Sequence, residues 1–298
     1  MDKNEEKLLT NLNEVMVHKK DDEKLSEGEF RRLQLVELEL IKEVDRVCRK
    51  HNIKYSLFCG TLLGAVRHKG YIPWDDDADI AMLREEYNKF RDVADELNPE
   101  ICFFQDHKTD PKYLWGYGKI RKTGTTHMRT GQDTVGCKNG VYIDIFPLDD
   151  VPKSVVGQIF QDIDLFFKRK TLWAQVAKDT YKNPIKRFNY KCLSHIPVEK
   201  VYEKTEKYRK RSSNKTSNRV RNLFFPSFGK LYVKNPLKER FSMPKRWFLE
   251  LDEYEFEGYK FLGTRDADGF LRHMYDDYMT PPPIEKRVPK VSYSELIY

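Results

Sequence analysis

Apolar positions along this chain change their spacing at a few sharp points. From Phe30 they recur every three or four residues through Leu33, Val36, Leu40, Val44 and Val47. That spacing lines one face of an amphipathic helix, and Ser26 with Glu29 has capping-box spacing at its start. The pattern predicts one long helix from Ser26 to about Lys50, packed on a sheet, its stripe read as core with no chemistry of its own. Residues 1–25 are polar and charged and read as a mobile or weakly helical lead-in.

The spacing then shortens. Tyr55 opens an apolar run that ends at Gly60-Thr61 and leads into a helix-like stretch, Leu62 to Val66. A basic turn, Arg67-His68-Lys69-Gly70, and an acidic burst from Asp75 to Asp79 precede an apolar strand, Ile80 to Met82. Arg84 to Leu97 reads as a helix closed by Asn98-Pro99, and Ile101 to Phe104 as a strand. Tyr113–Arg121 and Thr125–Met128 read as a strand pair joined by the turn Lys122-Thr123-Gly124. In Gly140 to Asp150, Val141, Ile143 and Ile145 alternate with Tyr142, Asp144 and Phe146, with Asp149 and Asp150 placed in a loop after Pro147. From Val155 the chain reads as mostly helical, with Ile159, Ile163, Phe166 and Phe167 on one face. Gly269 to Tyr278 reads as a last helix, stopped by three prolines. The sum is an α/β protein with a mixed-sheet core over 26–150 and a mainly helical region over 151–298.

Composition narrows the setting. The 298 residues carry a net charge of +7, and no apolar run approaches the ~20 residues of a membrane span. The N-terminus lacks the apolar segment of a signal peptide, which points to the cytoplasm. Cys48, Cys59, Cys102, Cys137 and Cys192 show no paired spacing and read as thiols in a reducing compartment. Between Lys168 and Lys234, nineteen Lys and Arg face four Asp and Glu, so the rest of the chain is net negative. Tyrosines and Phe188 intersperse these cations, but no recognised nucleic-acid motif accompanies them. An anionic acceptor, the inner face of a membrane, or plain solvated surface would each account for the surplus.

The chemistry gathers around the acidic burst. On an extended strand Asp77 and Asp79 share a face, and two carboxylates so placed repel unless a cation sits between them. Hard divalent ions take such sites when substrate phosphates complete the shell. Asp144, an acid in an otherwise apolar strand, is expensive to bury without a partner. Lys119 and Arg121 share a strand face, as phosphate holders or as solvated cations.

The run GTLLGAVRHKGYIPWDDDADI resembles the signature of the LicD family of phosphocholine transferases, which includes the fukutin-related proteins. Resemblance extends from about Ser26 to Arg287, where a Tyr-Met-Pro-Pro tail is retained with Asp276 standing where Gly is usual. Cys59 likewise precedes the turn where Gly is common. The resemblance implies a nucleotidyltransferase-like fold and Mg2+ or Mn2+ held by Asp77, Asp79 and Asp144. It implies phosphate contacts from Gly60, Thr61, Arg67, His68, Lys69, Lys119 and Arg121, with Asp75 as an outer ligand or general base. The implied reaction moves phosphocholine, or a related phospho-alcohol, from a CDP-activated donor such as CDP-choline. Its acceptor is a hydroxyl of a cell-surface or lipid-linked glycan (lipopolysaccharide, teichoic acid or capsule), and CMP is released. The same residues would also serve transfer of a nucleoside monophosphate, and a non-catalytic glycan-binding relative is the third reading.

Overall fold

The computed structural model describes residues 16–133, 135–211, 216–224, 242–289 and 291–298. Most of the polar lead-in (residues 1–15) and Pro236 with the cations around it lie outside them. In chain order the elements begin with β1 (His18–Lys20), α1 (Glu27–Lys50), β2 (Ser56–Leu57), α2 (Cys59–His68), β3 (Asp79–Leu83) and α3 (Arg84–Asp92). They continue with β4 (Cys102–Gln105), β5 (Gly118–Lys122), β6 (Thr126–Met128), β7 (Tyr142–Pro152), α4 (Val155–Thr180), α5 (Pro184–Leu193) and α6 (Val198–Arg211). The last are β8 (Thr216–Arg221), β9 (Met243–Pro244), β10 (Leu251–Phe256), β11 (Tyr259–Thr264), α7 (Ala267–Tyr275) and β12 (Glu295–Ile297).

The central sheet runs β2-β3-β7-β5-β4, with β8 and β9 continuing from the far half of β7. Among the described residues only β3 and β7 pair in parallel; β2, β5, β4 and β8 join antiparallel. β7 is the spine, and its mid-strand proline is tolerated for a local reason. β5 pairs with β7 through Ile145, and β8 takes over from Asp149, so Pro147 falls at the handover, where no ladder donor is required on that side. The Asn222 amide closes the gap by donating to the Pro147 carbonyl at 3.0 Å.

α1 forms as its periodicity predicts, and both halves of its capping box are made by Ser26 and Glu29. Leu33, Leu40, Ile41, Val44 and Val47 are fully buried. Three expectations are corrected. β5 and β6 do not pair: β5 lies between β4 and β7, whereas β6 joins β12, which also pairs with β1. The end of the polar lead-in is therefore a strand, recruited by the chain's C-terminal segment. Asp149 and Asp150 are not loop residues: β7 carries through Pro152, Asp149 meets Arg84 in two bonds of 2.7 Å, and Asp150 meets Lys245. After the helices α4–α6 the chain returns to strands, and the β10–β11 hairpin packs on α2 and β2. No helix among the described residues is long and apolar enough to cross a membrane.

The Arg84–Asp149 pair ties α3 to the sheet, and Arg209 adds a second cation 3.6 Å from Asp149. Removing one partner of a buried pair leaves the other charge uncompensated, which costs about 3–5 kcal/mol. We expect Asp149→Ala to lose that much in chemical denaturation and Asp149→Asn nearly as much, because the amide still accepts a bond but leaves Arg84 and Arg209 without a counter-charge. A loss near zero for Asp149→Asn would show that the charge is immaterial.

Candidate active site

The site is built on the joint between β3 and β7. Asp79 and Asp144 are direct neighbours across that parallel pair, and the Asp144 amide donates to the Ala78 carbonyl at 2.9 Å. Asp75 and Asp77 stand on the loop that feeds β3. Ala78, Ile80 and Met82 point into the core, as the alternation predicts, and Ala81 is buried as well.

Several elements clamp this loop. The Asp79 amide donates to Thr61 Oγ1 at 2.8 Å, and the Phe58 amide donates to the Asp79 carbonyl at 3.0 Å. From α1, Gln34 Nε2 donates to the carbonyls of Ile72 (3.3 Å) and Asp75 (3.0 Å). Glu257 on the β10–β11 turn accepts from the Tyr71 amide at 2.9 Å and from Arg31 of α1. Gly60 has a steric role, because a Cβ there would collide with the Asp75 carboxylate. The family's glycine preference one residue earlier also has a cause: Cys59 is held at φ 45°, a left-handed conformation that costs a side-chain-bearing residue energy.

The electrostatics are those of crowded acids. Desolvation, followed by the charges of Asp75, Asp76 and Asp144, raises the Asp77 carboxyl to about 7. Asp77 itself keeps solvent contact, so the desolvation comes from the walls of a concave site and not from full enclosure. Asp79 is likewise raised well above the usual carboxylate range, by desolvation and then by the charges of Asp77, Asp144 and Asp75. Beneath them lies a residue the helical stripe concealed: Glu37 of α1 is 2% exposed, and its Oε2 has no hydrogen-bond partner among the described residues. Burial, then Asp77 and its neighbours, raises its pKa strongly. The donor set is all carboxylate oxygen, with mutual repulsion unrelieved, which suits a hard cation. As the side chains stand, however, no group of three or more His, Cys, Asp or Glu among the described residues is set to hold a metal ion. Part of the reason is visible: Lys119 Nζ is ion-paired with Asp144. Burial holds that lysine down to about 8, against the upward pull of Asp144.

The remaining sequence candidates divide. Arg67 Nη1 donates to the Tyr278 carbonyl at 2.5 Å and Nε to the His68 ring at 2.9 Å. Burial and the nearby Arg287 lower the Arg67 pKa, while Asp75 supports its charge. Arg67 thus joins the Tyr278 tail to the edge of the acidic loop, and the Arg287 guanidinium lies 5.4 Å over the Trp74 ring beside it. His68, its pKa lowered by burial and by Arg67, is neutral and accepts from it. Lys69 is the left-handed C-cap of α2; its side chain is exposed and its backbone carbonyl accepts from Glu257. Arg121 is buried, donating to Gln105 Oε1 at 2.5 Å and to the Gly140 carbonyl at 2.8 Å, so it organises the 137–140 loop.

Beside Lys119 opens a narrow cleft, lined by Trp115, Tyr117, Arg121, Arg129 and Lys138 among others. The exposed Arg129 lies within electrostatic reach of Tyr142, Tyr117, Asp144 and Asp77. A second cavity of about 180 Å³ shares the Trp115–Tyr117 wall and adds Arg169, Trp173 and Phe224. Sequence reasoning missed Arg129, Glu37 and the Trp115–Tyr117 wall, since each sits in a stretch whose local pattern reads as core or turn.

Comparison with known proteins points the same way. Residues 52–172 match the family model described as LicD/FKTN/FKRP, nucleotidyltransferase domain. The lipopolysaccharide cholinephosphotransferase LicD of Haemophilus influenzae is 30% identical over 267 residues, which is 87% of this chain and 95% of that protein. An uncharacterized protein of Rickettsia typhi is 40% identical over 75 residues, 23% of this chain and 24% of its own. A Rickettsia prowazekii protein, also uncharacterized, is 52% identical over 48 residues, 16% of this chain and 18% of its own.

Two outcomes follow from this geometry. Gly60→Ala should fold and keep its thermal midpoint within a few degrees, yet lose activity, because the new methyl displaces the Asp75 carboxylate. An unchanged rate would remove Asp75 from the reaction. His127, buried in the cleft wall, has its pKa lowered from 6.5 to about 3 by burial and by Lys119, Arg129 and Arg121. The unfolded chain therefore takes up a proton below about pH 6.5 that the fold refuses, and stability falls with pH by up to about 1.4 kcal/mol per unit. Denaturation of wild type and His127→Gln between pH 7 and 5 should show the variant lacking that slope; parallel curves would refute the shift.

Proposed function

Because this chain belongs to the LicD family and is a LicD-type transferase, we propose that it moves phosphocholine, or a close phospho-alcohol, from a CDP-activated donor to a glycan hydroxyl, releasing CMP. The observation that carries the reading is the pairing of a crowded carboxylate site on β3–β7 with an adjoining cationic, aromatic cleft. H. influenzae LicD is a lipopolysaccharide cholinephosphotransferase, so a lipopolysaccharide-like glycan is the acceptor class of first choice.

Lys119, Arg129 and Lys138 would bind the donor's phosphates in the cleft, with Arg121 behind them holding the 137–140 loop. Trp115 and Tyr117 form the aromatic wall that a nucleobase or a trimethylammonium head group would meet, the latter worth ~0.5–2 kcal/mol. Asp77 and Asp79, joined by Asp144 once it releases Lys119, would hold Mg2+ or Mn2+. Such an ion, when bound, supplies positive charge to the leaving phosphate and lowers the pKa of a coordinated hydroxyl. Asp75, positioned by Gln34 and by the space above Gly60, is the group we assign to take the acceptor's proton. Arg67 holds the Tyr278 tail beside it. Thr61 fixes the Asp79 backbone, so the β3 end keeps its place as charge develops. To the second cavity, walled partly by α4 and Phe224, we assign the acceptor. The five free cysteines suit a reducing compartment, and we place the reaction in the cytoplasm.

The test is CMP release from CDP-choline, CDP-ethanolamine, CDP-glycerol and CDP-ribitol with Mg2+ or Mn2+ and a lipopolysaccharide acceptor, run beside Asp77→Ala/Asp79→Ala. We expect turnover with one donor, abolished by EDTA and reduced more than about a hundredfold in the variant. Incorporation of a nucleoside monophosphate from a triphosphate, with every CDP donor inert, would overturn the reading in favour of nucleotidyl transfer.

A further inference from the structure

The first half of helix α4 is inside out. Val156, Phe160, Ile163 and Phe167 follow one another at intervals of four, three and four residues, which lines them on one face. Among the described residues that face is uncovered: the four side chains are 60%, 68%, 46% and 59% exposed. The residues turned inward are instead Gln161, Asp162, Leu165 and Lys168. The orientation is locked, because Asp162 and Arg221 form an ion pair in which both partners are buried. The sequence pattern placed Ile159, Ile163, Phe166 and Phe167 on one helix face, and the structure leaves Ile163, Phe166 and Phe167 of these exposed.

Continued by the same spacing, the stripe runs through Lys170, Ala174, Ala177 and Tyr181. There α5 covers it: Tyr190 packs on Ala174 and Ala177, and Lys170 Nζ donates to its hydroxyl at 3.1 Å. The outer side of α5 repeats the theme, with Ile185 72% and Phe188 66% exposed. Around them Lys182, Lys186, Arg187 and Lys191 are all exposed. A cleft between the two helices is lined by Lys178, Arg187, Phe188, Lys191 and His195. Across Val155–Leu193, eight Lys and Arg face three Asp, and one of those three, Asp162, is buried.

We propose that the α4–α5 pair docks this protein on an anionic lipid bilayer. The bare stripe and the α5 apolar residues enter the head-group boundary, and the α5 cations meet lipid phosphates. A second copy's helix would fill the four-residue stripe but leave Ile185 and Phe188 in water, and would gain nothing from the cations. A bilayer accounts for both. The inference rests on this surface alone and not on the donor chemistry proposed above.

Flotation of the full chain with phosphatidylcholine vesicles, with and without phosphatidylglycerol, tests it. The expected result is binding only to the anionic vesicles, weakened by salt, and reduced more than about tenfold in both Phe160→Ser/Phe167→Ser and Lys186→Glu/Arg187→Glu. Circular dichroism and the thermal midpoint should stay unchanged, as should CMP release with a water-soluble acceptor, since none of these side chains lines the reaction site. No binding to anionic vesicles at low salt would overturn the proposal, as would binding that neither double variant alters. So would light scattering that shows a dimer which Phe160→Ser/Phe167→Ser dissociates, because the face would then join two copies.

Discussion

Acidic side chains held against one another at the end of β3 set the terms for everything around them. Asp75, Asp77, Asp79 and Asp144 converge where a loop enters a parallel strand pair, with Glu37 buried beneath. Like charges a few ångströms apart cost on the order of several kcal/mol in a partly desolvated site. The fold does not relax this by letting the loop drift. It fixes the loop through Thr61, Gln34 and the Glu257–Tyr71 contact, and sets one lysine against Asp144. A site kept acidic by rigid backbone contacts is prepared for positive charge supplied from outside.

The same arrangement explains why the periphery is so heavily tied. α1 contributes Gln34 and Glu37 to the site while burying its apolar stripe, so one helix serves core and chemistry together. The hairpin reaches back through Glu257, and the tail through the Tyr278 carbonyl on Arg67. The tail also bears strain: Asp276, where relatives favour glycine, sits at φ 59° and ψ −109°, a conformation that costs a non-glycine residue about 1–3 kcal/mol. Such strain persists where neighbouring contacts hold the segment, and Tyr278 supplies them through its carbonyl and through its hydroxyl bond to Asp268.

Beyond the sheet, charge pairing decides orientation. Arg84–Asp149 fixes α3 and Arg221–Asp162 fixes α4, each on a strand of the central sheet or its extension. In α4 the consequence is an exposed apolar face, with large side chains left in water at a cost of about 1.5–3 kcal/mol each relative to full burial. A surface of that kind, beside a cationic helix, places the catalytic domain next to whatever covers it.

Sequence alone determined the elements whose signals are local. The α1 periodicity and its capping box, the apolar strands around Asp79 and Asp144 and the scattered cysteines are all properties of short windows, whereas the expected Gly60-Thr61 turn is the first turn of α2. Side-chain alternation correctly assigned Ala78, Ile80 and Met82 to the core. Tertiary structure decided the rest, because those outcomes depend on partners far away along the chain. β6 pairs with β12 from the C-terminus and not with β5, so a turn that looked like a hairpin is none. Asp149 becomes a strand residue because Arg84 and β8 receive it. Glu37 reads as one more polar position on a helix until the acidic loop is folded over it. The stripe on α4 points outward because Arg221 captures Asp162, a choice no helical wheel contains. Periodicity specifies which residues share a face; only the long-range ion pairs and strand pairings specify what that face meets.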